Sequence, residues 1–290
     1  MFQRALICTD FTDGLQRLTH FVPNLAASGL QQIIFFHAIP LSEEREIPKV
    51  YEAEIAAARD RLYANVKDVP AGVEVKIEIR TGKPGDTILK IAQANNSDLI
   101  ILGMPTRSLL EEKLFGSTTL DLCQRNAKPV LILRPQLISA YTTEELALRC
   151  QHLNRYFLLP YNGAEASDAL VSTIKQMAQD RPAHSLERCL LCWIFEEQGL
   201  RGLPPKYSET EAAQKLDAAK RELEQVGLKV TTELRRGDPV EGIMDVALEH
   251  DISAIVVTAK QNWLKWSVRG LAEELLRGSW YPILYLPTKG

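Results

Sequence analysis

The chain contains the same series of short motifs twice, and this internal repeat constrains its fold more than any other feature. Gly82-Lys83-Pro84 recurs as Gly237-Asp238-Pro239, and the apolar stretch 97–102 recurs as 252–257. Repeats that return in the same order over 290 residues are typical of a duplicated domain. The sequence therefore predicts two like domains in tandem.

Within the first copy, short apolar runs alternate with longer segments of helical periodicity. A run such as Leu99-Ile100-Ile101-Leu102 is apolar on both faces, as a strand between two layers of helices requires. Strand–helix alternation of this kind predicts right-handed crossovers and a parallel sheet. The predicted strands are 4–9, 32–38, 73–79, 98–102 and 129–133, and the predicted helices are 13–28, 48–67, 84–95 and 116–126.

We therefore expect an α/β fold with two tandem, doubly wound domains of the Rossmann-like kind, each with a mostly parallel five-stranded sheet. The first domain is placed at residues 1–140 and the second at 141–290. In the second, Ser208 is a predicted N-cap and Gly227 a predicted C′ stop, which places a helix over 208–226.

A CxxC spacing in the second copy, Cys189 to Cys192, is a candidate metal or redox motif. It lies, however, in the apolar run that ends at Phe195, which we interpret as the second strand of this copy. Residues three apart on a strand point to opposite faces. The pair is therefore predicted to be structural.

The composition excludes several classes of protein. With 46% apolar residues, 24% charged residues and a net charge of −3, the chain lacks the basic surface that nucleic-acid binding requires. No apolar run is long enough to span a membrane, and the first ten residues are too mixed for a secretory signal. Five scattered cysteines indicate reduced thiols. We expect a cytoplasmic protein without nucleic acid, membrane contact or a protein-bound metal.

Two strand ends of the first copy carry polar residues at the edge where open α/β sheets bind ligands. One is the segment Cys8 to Asp13, and the other begins at Gly103, where the chain leaves the fourth strand without a Cβ. Gly116-Ser117-Thr118 then opens the next helix, where free N–H groups and the helix dipole favour an anion. Taken alone, these three residues also fit an ordinary N-cap.

These residues resemble the universal stress protein family, whose nucleotide-binding branch carries Gly-x2-Gly-x9-Gly-(Ser/Thr) after the fourth strand. This chain has Gly103-x2-Thr106-x9-Gly116-Ser117, with the spacing kept and one glycine replaced. Thr9-Asp10-Phe11 and Phe36-His37-Ala38 are similar to the ends of the family's first two strands. The resemblance covers nearly all of 1–135 and, more faintly, 155–287, and tandem arrangements are known in the family.

The resemblance implies that the first copy binds ATP, AMP or a related adenine nucleotide, with Mg²⁺ as a candidate companion. It places Asp10 near the ribose or adenine, and Ala38 at the adenine edge. Leu102 and Gly103 would line the base and ribose, and the later residues would surround the phosphates. The full implied set is Thr9, Asp10, Ala38, Leu102, Gly103, Thr106, Gly116, Ser117 and Thr118.

Thr106 is the departure from the family pattern, and it leaves two alternatives open. If the second glycine is needed for a positive φ or for close approach, a β-branched residue there is costly. If only its N–H is needed, Thr106 serves and adds a hydroxyl. We expect binding to be retained.

The second copy is predicted to have lost the site. Aligning Arg4 with Arg155 sets Tyr161 opposite Asp10, and Thr258 stands opposite Gly103. Arg269-Gly270 replaces Gly116-Ser117, so no nucleotide is expected in this copy. The intervening segment carries Trp263, Lys265 and Trp266, which suit an interface, an anionic ligand or a plug for the degenerate pocket.

The functional prediction is a tandem universal stress-type protein in which the nucleotide acts as a regulatory switch in a stress response. No general base is visible, so at most slow ATP hydrolysis is expected. The alternative is a nucleotide-free scaffold for protein partners with both pockets degenerate. In the family the fifth strand often pairs across a dimer axis, so 129–133 and 282–286 are expected to pair, within the chain as a pseudo-dimer or between chains as a homodimer.

Overall fold

The computed structural model of the chain describes residues 1–40, 48–103, 117–125, 127–195, 207–258 and 270–287. The chain forms two compact units, one from Phe2 to Gln151 and the other from His152 to Gly290 together with Met1. The predicted domain boundary between residues 140 and 141 stays a prediction; the compact units divide later, after the helix that ends at Gln151.

The first unit contains one parallel sheet of five strands in the order β3-β2-β1-β4-β5. Its strands are β1 (Arg4–Cys8), β2 (Gln32–Ile39), β3 (Glu74–Thr81), β4 (Leu99–Gly103) and β5 (Val130–Leu133). Its helices are a 3₁₀ helix (Leu15–Phe21), α1 (Val22–Ala27), α2 (Pro48–Tyr63), α3 (Pro84–Ala94), α4 (Ser117–Arg125), α5 (Pro135–Ala140) and α6 (Thr143–Gln151).

The second unit repeats this plan with the strand order β10-β9-β6-β7-β8, again parallel. Its strands are β6 (Tyr156–Pro160), β7 (Arg188–Phe195), β8 (Lys229–Arg236), β9 (Ala254–Thr258) and β10 (Ile283–Leu286). Its helices are α7 (Glu165–Gln179), α8 (Glu209–Glu224), α9 (Pro239–Glu249) and α10 (Leu271–Gly278). The prediction of two doubly wound, parallel five-stranded units is confirmed.

The central strands are buried on both faces, as their composition predicts. Leu99 to Ile101 of β4 are fully buried, and the same holds for Ala254 to Val256 of β9. The turn before α3 and the turn before α9 repeat as well, because Gly82 and Gly237 have φ values of 133° and 139°, which other residues rarely adopt.

The predicted start of helix α8 is confirmed, and the helix ends at Glu224, two residues before the predicted end. Ser208 is the N-cap, and its side chain accepts from the N–H of Glu211 while Glu211 accepts from the N–H of Ser208. This capping box satisfies two helix-end donors. Gly227 follows the helix with a φ of 75°, as a C′ glycine does.

The predicted single helix over 13–28 is wrong in its first half. The segment from Leu15 to Phe21 is a 3₁₀ helix, and the α-helix begins at Val22. Pro23 explains the break, because proline lacks an N–H and its ring collides with the carbonyl four residues earlier unless it lies in the first helical turn.

Candidate functional site

The sheet of the first unit reverses its strand order at β1, which pairs with β2 on one side and β4 on the other. Ligands of open α/β sheets bind outside the carboxyl ends of the strands at such a switch point. The strand register brings Thr9 after β1, His37 and Ala38 of β2, and Leu102 and Gly103 of β4 to this edge.

Asp10 forms a tight turn directly after β1. Its Oδ1 accepts hydrogen bonds from the N–H of Thr12 (2.8 Å), the hydroxyl of Thr12 (2.7 Å) and the N–H of Asp13 (3.0 Å). Within the described part of the chain, Oδ2 of this exposed side chain has no partner. The turn holds Phe11 at a φ of 65°, an uncommon value for a residue with a ring. Asp10 is therefore held rigidly through one oxygen and can accept from a ligand with the other.

Asp13 is the buried carboxyl group of the site, and it is not among the site residues that the sequence predicts. Its Oδ1 accepts from the hydroxyl of Thr9 (2.7 Å) and from the N–H of Leu15 (3.0 Å), and the side chain is almost completely buried. Burial raises the pKa of Asp13 to about 6, with a further contribution from Asp10, although the hydrogen bonds oppose the shift. The Thr9 hydroxyl, which is predicted to contact a ligand, thus donates its hydrogen bond to Asp13.

Gly103 lies against the Asp13 side chain. A Cβ at Gly103 would come within 2.6 Å of the Cβ of Asp13 and 2.8 Å of its Oδ2. The absence of a side chain at Gly103 therefore makes room for a buried carboxyl group. Leu102, the residue before it, is buried in the sheet, where it pairs with Cys8.

His37 ties the end of β2 to the end of β1. Its Nδ1 lies 2.8 Å from the carbonyl oxygen of Thr9, so Nδ1 carries a proton and donates it to that carbonyl. Ala38 is half-buried and follows on the opposite face of β2, because successive strand residues alternate.

The predicted phosphate loop is described only at its end. Thr106 and Gly116 lie outside the described residues. Ser117 is the first residue of α4, and Thr118 is half-buried in its first turn. The start of α4 is therefore where the sequence places it, at the helix end whose free N–H groups favour anions.

The hydrogen-bond pattern corrects the alignment of the two units at their first strands. The N–H of Thr9 donates to the carbonyl of Phe36, and the N–H of Tyr161 donates to that of Cys192. Tyr161 is thus the counterpart of Thr9. The predicted pairing of Asp10 with Tyr161 is wrong by one residue, because matching Arg4 to Arg155 by identity shifts the strand register.

The true counterpart of Asp10 is Asn162. Its Oδ1 accepts from the N–H of Ala164 (3.1 Å), just as Asp10 accepts from the N–H two residues later. Gly163, with a φ of 64°, repeats the conformation of Phe11. The backbone turn is therefore retained in the second unit, whereas its carboxylate is replaced by a neutral amide.

The second unit fills the space next to this turn with aromatic rings, which the sequence analysis did not foresee. The Trp193 ring contacts those of Tyr161, Phe195 and Tyr207 at centroid distances of 5.6 to 5.8 Å. The Tyr161 hydroxyl donates to Asp168 (2.6 Å), and burial together with this bond raises the pKa of Tyr161. Alternate apolar side chains along β7 were the available sequence signal.

The remaining predicted features of the second unit have mixed outcomes. Thr258 ends β9 where Gly103 ends β4, and Gly270 precedes α10 without a side-chain cap. Trp263, Lys265, Trp266 and Arg269 lie outside the described residues.

The CxxC pair of the second unit lies in strand β7, as predicted. Cys189 and Cys192 are buried free thiols, and burial raises the pKa of both to about 12. A thiolate is the form that binds metals and exchanges disulfides, so this environment suits a structural role. The predicted position of the pair in the second strand of this copy is confirmed.

Fold and switch points together define a tandem doubly wound α/β protein with one polar and one ring-filled strand edge. The family model described as the universal stress protein family matches residues 1–134 and 154–286. The chain belongs to the universal stress protein family.

Known proteins agree with this assignment. A universal stress protein of Methanocaldococcus jannaschii is 27% identical over 158 residues, covering 46% of this chain and 96% of the relative. A universal stress protein structure from Archaeoglobus fulgidus shares the fold over 97% of both chains, with a TM-score of 0.64 and 14% identity. A protein of unknown function from Pseudomonas aeruginosa PAO1 also shares the fold, over 98% of this chain and 92% of that protein's chain, with a TM-score of 0.56 and 14% identity.

Within the part of the chain that the structure describes, no helix is long and apolar enough to cross a bilayer.

Proposed function

We propose that the first unit binds ATP or a related adenine nucleotide as a regulatory switch in a stress response, and that the second unit does not bind one in the same way. The observation that carries this proposal is the asymmetry of the two switch points. In the first, the exposed carboxylate of Asp10 stands beside small residues at the strand ends, Ala38 and Gly103.

The second unit replaces each of these three features. Asn162 stands for Asp10, and Thr258 adds a side chain where Gly103 has none. Ile194 takes the place of Ala38 and packs on Gly242 of α9, where a Cβ would meet it at 2.8 Å. A ribose hydroxyl donates well to a carboxylate, and an adenine ring needs a gap between side chains. Among the described strand ends, the exposed carboxylate beside small residues is present in the first unit and replaced in the second, which supports the proposal.

The test begins with the purified full chain. It is precipitated with acid, and the supernatant is assayed for adenine nucleotide; the unfolding temperature is then measured with and without millimolar ATP. About one nucleotide per chain, or a clear rise in Tm, supports the switch, since a ligand that binds only the native state stabilises it by mass action. No nucleotide and no shift would refute it in favour of the scaffold alternative.

Two variants locate the site. Gly116→Val places a branched side chain in the predicted phosphate loop and is expected to abolish binding, while Thr106→Gly restores the family pattern and is expected to strengthen it. Gly270→Val in the second unit is the matched control, and it should leave affinity unchanged. An unchanged affinity in Gly116→Val shows that the nucleotide lies elsewhere.

A further inference from the structure

A depression lies beside strand β2 of the first unit, between the Phe11 ring and helix α2. It has a volume of about 360 Å³, within the range of small-molecule sites. Its lining includes the rings of Phe11 and His37 and the aliphatic side chains of Ile39 and Ala58. Arg61 stands at one end. The depression therefore combines an apolar floor with one cation.

This depression is on the other face of the sheet from the proposed adenine contact. His37 and Ile39 line it, and Ala38 between them points to the opposite face because strand residues alternate. The second unit shows the same division, since Ile194, the counterpart of Ala38, packs on α9, whereas Trp193 packs toward α8. The depression and the proposed nucleotide site are thus two separate places.

The second unit has more aromatic rings at this place than the first, where the Phe11 and His37 rings lie 4.4 Å apart beside the depression. The N–H of Gly82 donates to the carbonyl of Ile39, and the N–H of Gly237 donates to that of Phe195, so Phe195 is the counterpart of Ile39. By the same register Trp193 is the counterpart of His37. Trp193 and Phe195 stack with their planes 17° apart, and the Tyr207 ring closes on Trp193 edge-on. The fold therefore accommodates flat rings at this place.

A cation accompanies the rings in both units. In the second, the Nζ of Lys215 lies 5.0 Å from the centroid of the Tyr207 ring. In the first, the guanidinium carbon of Arg61 lies 4.2 Å from the centroid of Phe11. Within the described residues Arg61 makes no ion pair, so its N–H donors are available to an anion.

We propose that this depression binds a small aromatic carboxylate, whose ring lies against Phe11 and His37 and whose carboxylate pairs with Arg61. The ligand ring supplies in the first unit what Phe195, the counterpart of Ile39, supplies in the second. Arginine binds a carboxylate through two parallel N–H donors, which fixes its orientation. Glu54 lines the depression two helical turns from Arg61, about 10 Å along α2, so the two ends differ in charge.

The test uses the full chain and measures binding of benzoate and 4-hydroxybenzoate by ligand-detected saturation-transfer NMR. Cyclohexanecarboxylate, which has the charge without the flat ring, and benzyl alcohol, which has the ring without the charge, are the comparison probes. We expect the two aromatic carboxylates to bind at millimolar concentration and both comparison probes to bind at least about tenfold more weakly, or by about 1.4 kcal/mol. Equal binding of all four probes, or of none, overturns the proposal.

Two variants place the ligand. Arg61→Gln is expected to weaken benzoate binding about tenfold or more, as loss of a charged partner does, whereas Arg59→Gln, on the same helix but outside the lining, should have no effect. His37→Trp combined with Ile39→Phe imports the rings of the second unit and should abolish binding while the protein stays folded. Unchanged affinity in Arg61→Gln refutes the assignment.

Competition separates this site from the nucleotide site. ATP should leave benzoate binding unchanged, and Gly116→Val should not alter it. Displacement of benzoate by ATP or by adenine would show that the probe occupies a nucleotide pocket, and the proposal would then be wrong.

Discussion

The two units make the same turn after their first strands and use it differently. In the first unit the turn carries an exposed carboxylate, Asp10, and a buried acid, Asp13, and its Phe11 ring lines a depression beside strand β2. In the second, it carries the amide of Asn162 and is covered by the Trp193 cluster. The two copies thus share the backbone turn and differ in side chains, with an exposed carboxylate in the first and packed aromatic rings in the second.

The largest expected effect tests whether the rings of the second unit are its core. Trp193→Ala should lower the free energy of unfolding by about 3 to 5 kcal/mol, because it removes a buried ring that contacts three others. All four tryptophans lie at or after residue 193, so tryptophan fluorescence during urea unfolding reports the second unit. His37→Ala, the matched change at a half-buried ring of the first unit, should cost clearly less; urea unfolding followed by circular dichroism, which reports both units, compares the two variants. Equal losses would show that the units do not differ here.

The next effect concerns the buried acid of the first unit. Its pKa is raised from 3.8 to about 6, so the folded chain holds the proton more tightly than the unfolded chain. Stability should therefore increase as pH falls through 6 toward 4, and the ionised carboxylate should cost up to about 3 kcal/mol at neutral pH.

Asp13→Asn is expected to remove this pH dependence and to stabilise the first unit at neutral pH. Urea unfolding followed by circular dichroism above and below the pKa measures it, with Asp68→Asn, an exposed acid elsewhere, as control. A pH dependence that persists in Asp13→Asn would mean that another group carries it.

The smallest effect concerns the contact between Gly103 and Asp13. Gly103→Ala places a Cβ 2.6 Å from that of Asp13, so the side chain must shift, at an expected cost of about 1 to 2 kcal/mol. In an Asp13→Gly background the same substitution should cost almost nothing, since the opposing atoms are gone. Thr258→Ala is the corresponding substitution in the second unit, since Thr258 is the counterpart of Gly103. If the cost is the same in both backgrounds, Gly103 is needed for its backbone and not for this contact.

The sequence was sufficient for the fold because the repeat and the apolar strands are strong signals at every level. Turns such as those at Gly82 and Gly237 recur with similar φ values, so a few matched motifs are enough to predict the duplicated fold. The helix capped by Ser208 was equally predictable, since its capping box involves residues only three apart in the sequence.

The candidate site could be predicted only in part, because its main features depend on contacts between residues that are distant in the sequence. In the sequence, Asp13 cannot be distinguished from an ordinary acidic residue of a loop. Only the folded chain buries it against Gly103. The slip between Tyr161 and Asn162 arose because a chance identity, Arg4 with Arg155, outweighed a register that only inter-strand hydrogen bonds reveal. Alignment by residue identity cannot detect that kind of error.

The conformation shared by Phe11 and Gly163 has a consequence for how such copies should be compared. Their φ values differ by almost nothing, 65° and 64°, although one residue has a ring and the other has no side chain. A phenylalanine held in this region stores backbone strain of about 1 kcal/mol or more. The Phe11 ring at this position contacts His37 and lies under the Arg61 guanidinium, contacts that the glycine of the second unit cannot make. Comparing backbone dihedral angles before residue identities therefore pairs the positions of two diverged copies correctly where residue identity alone misplaces them by one.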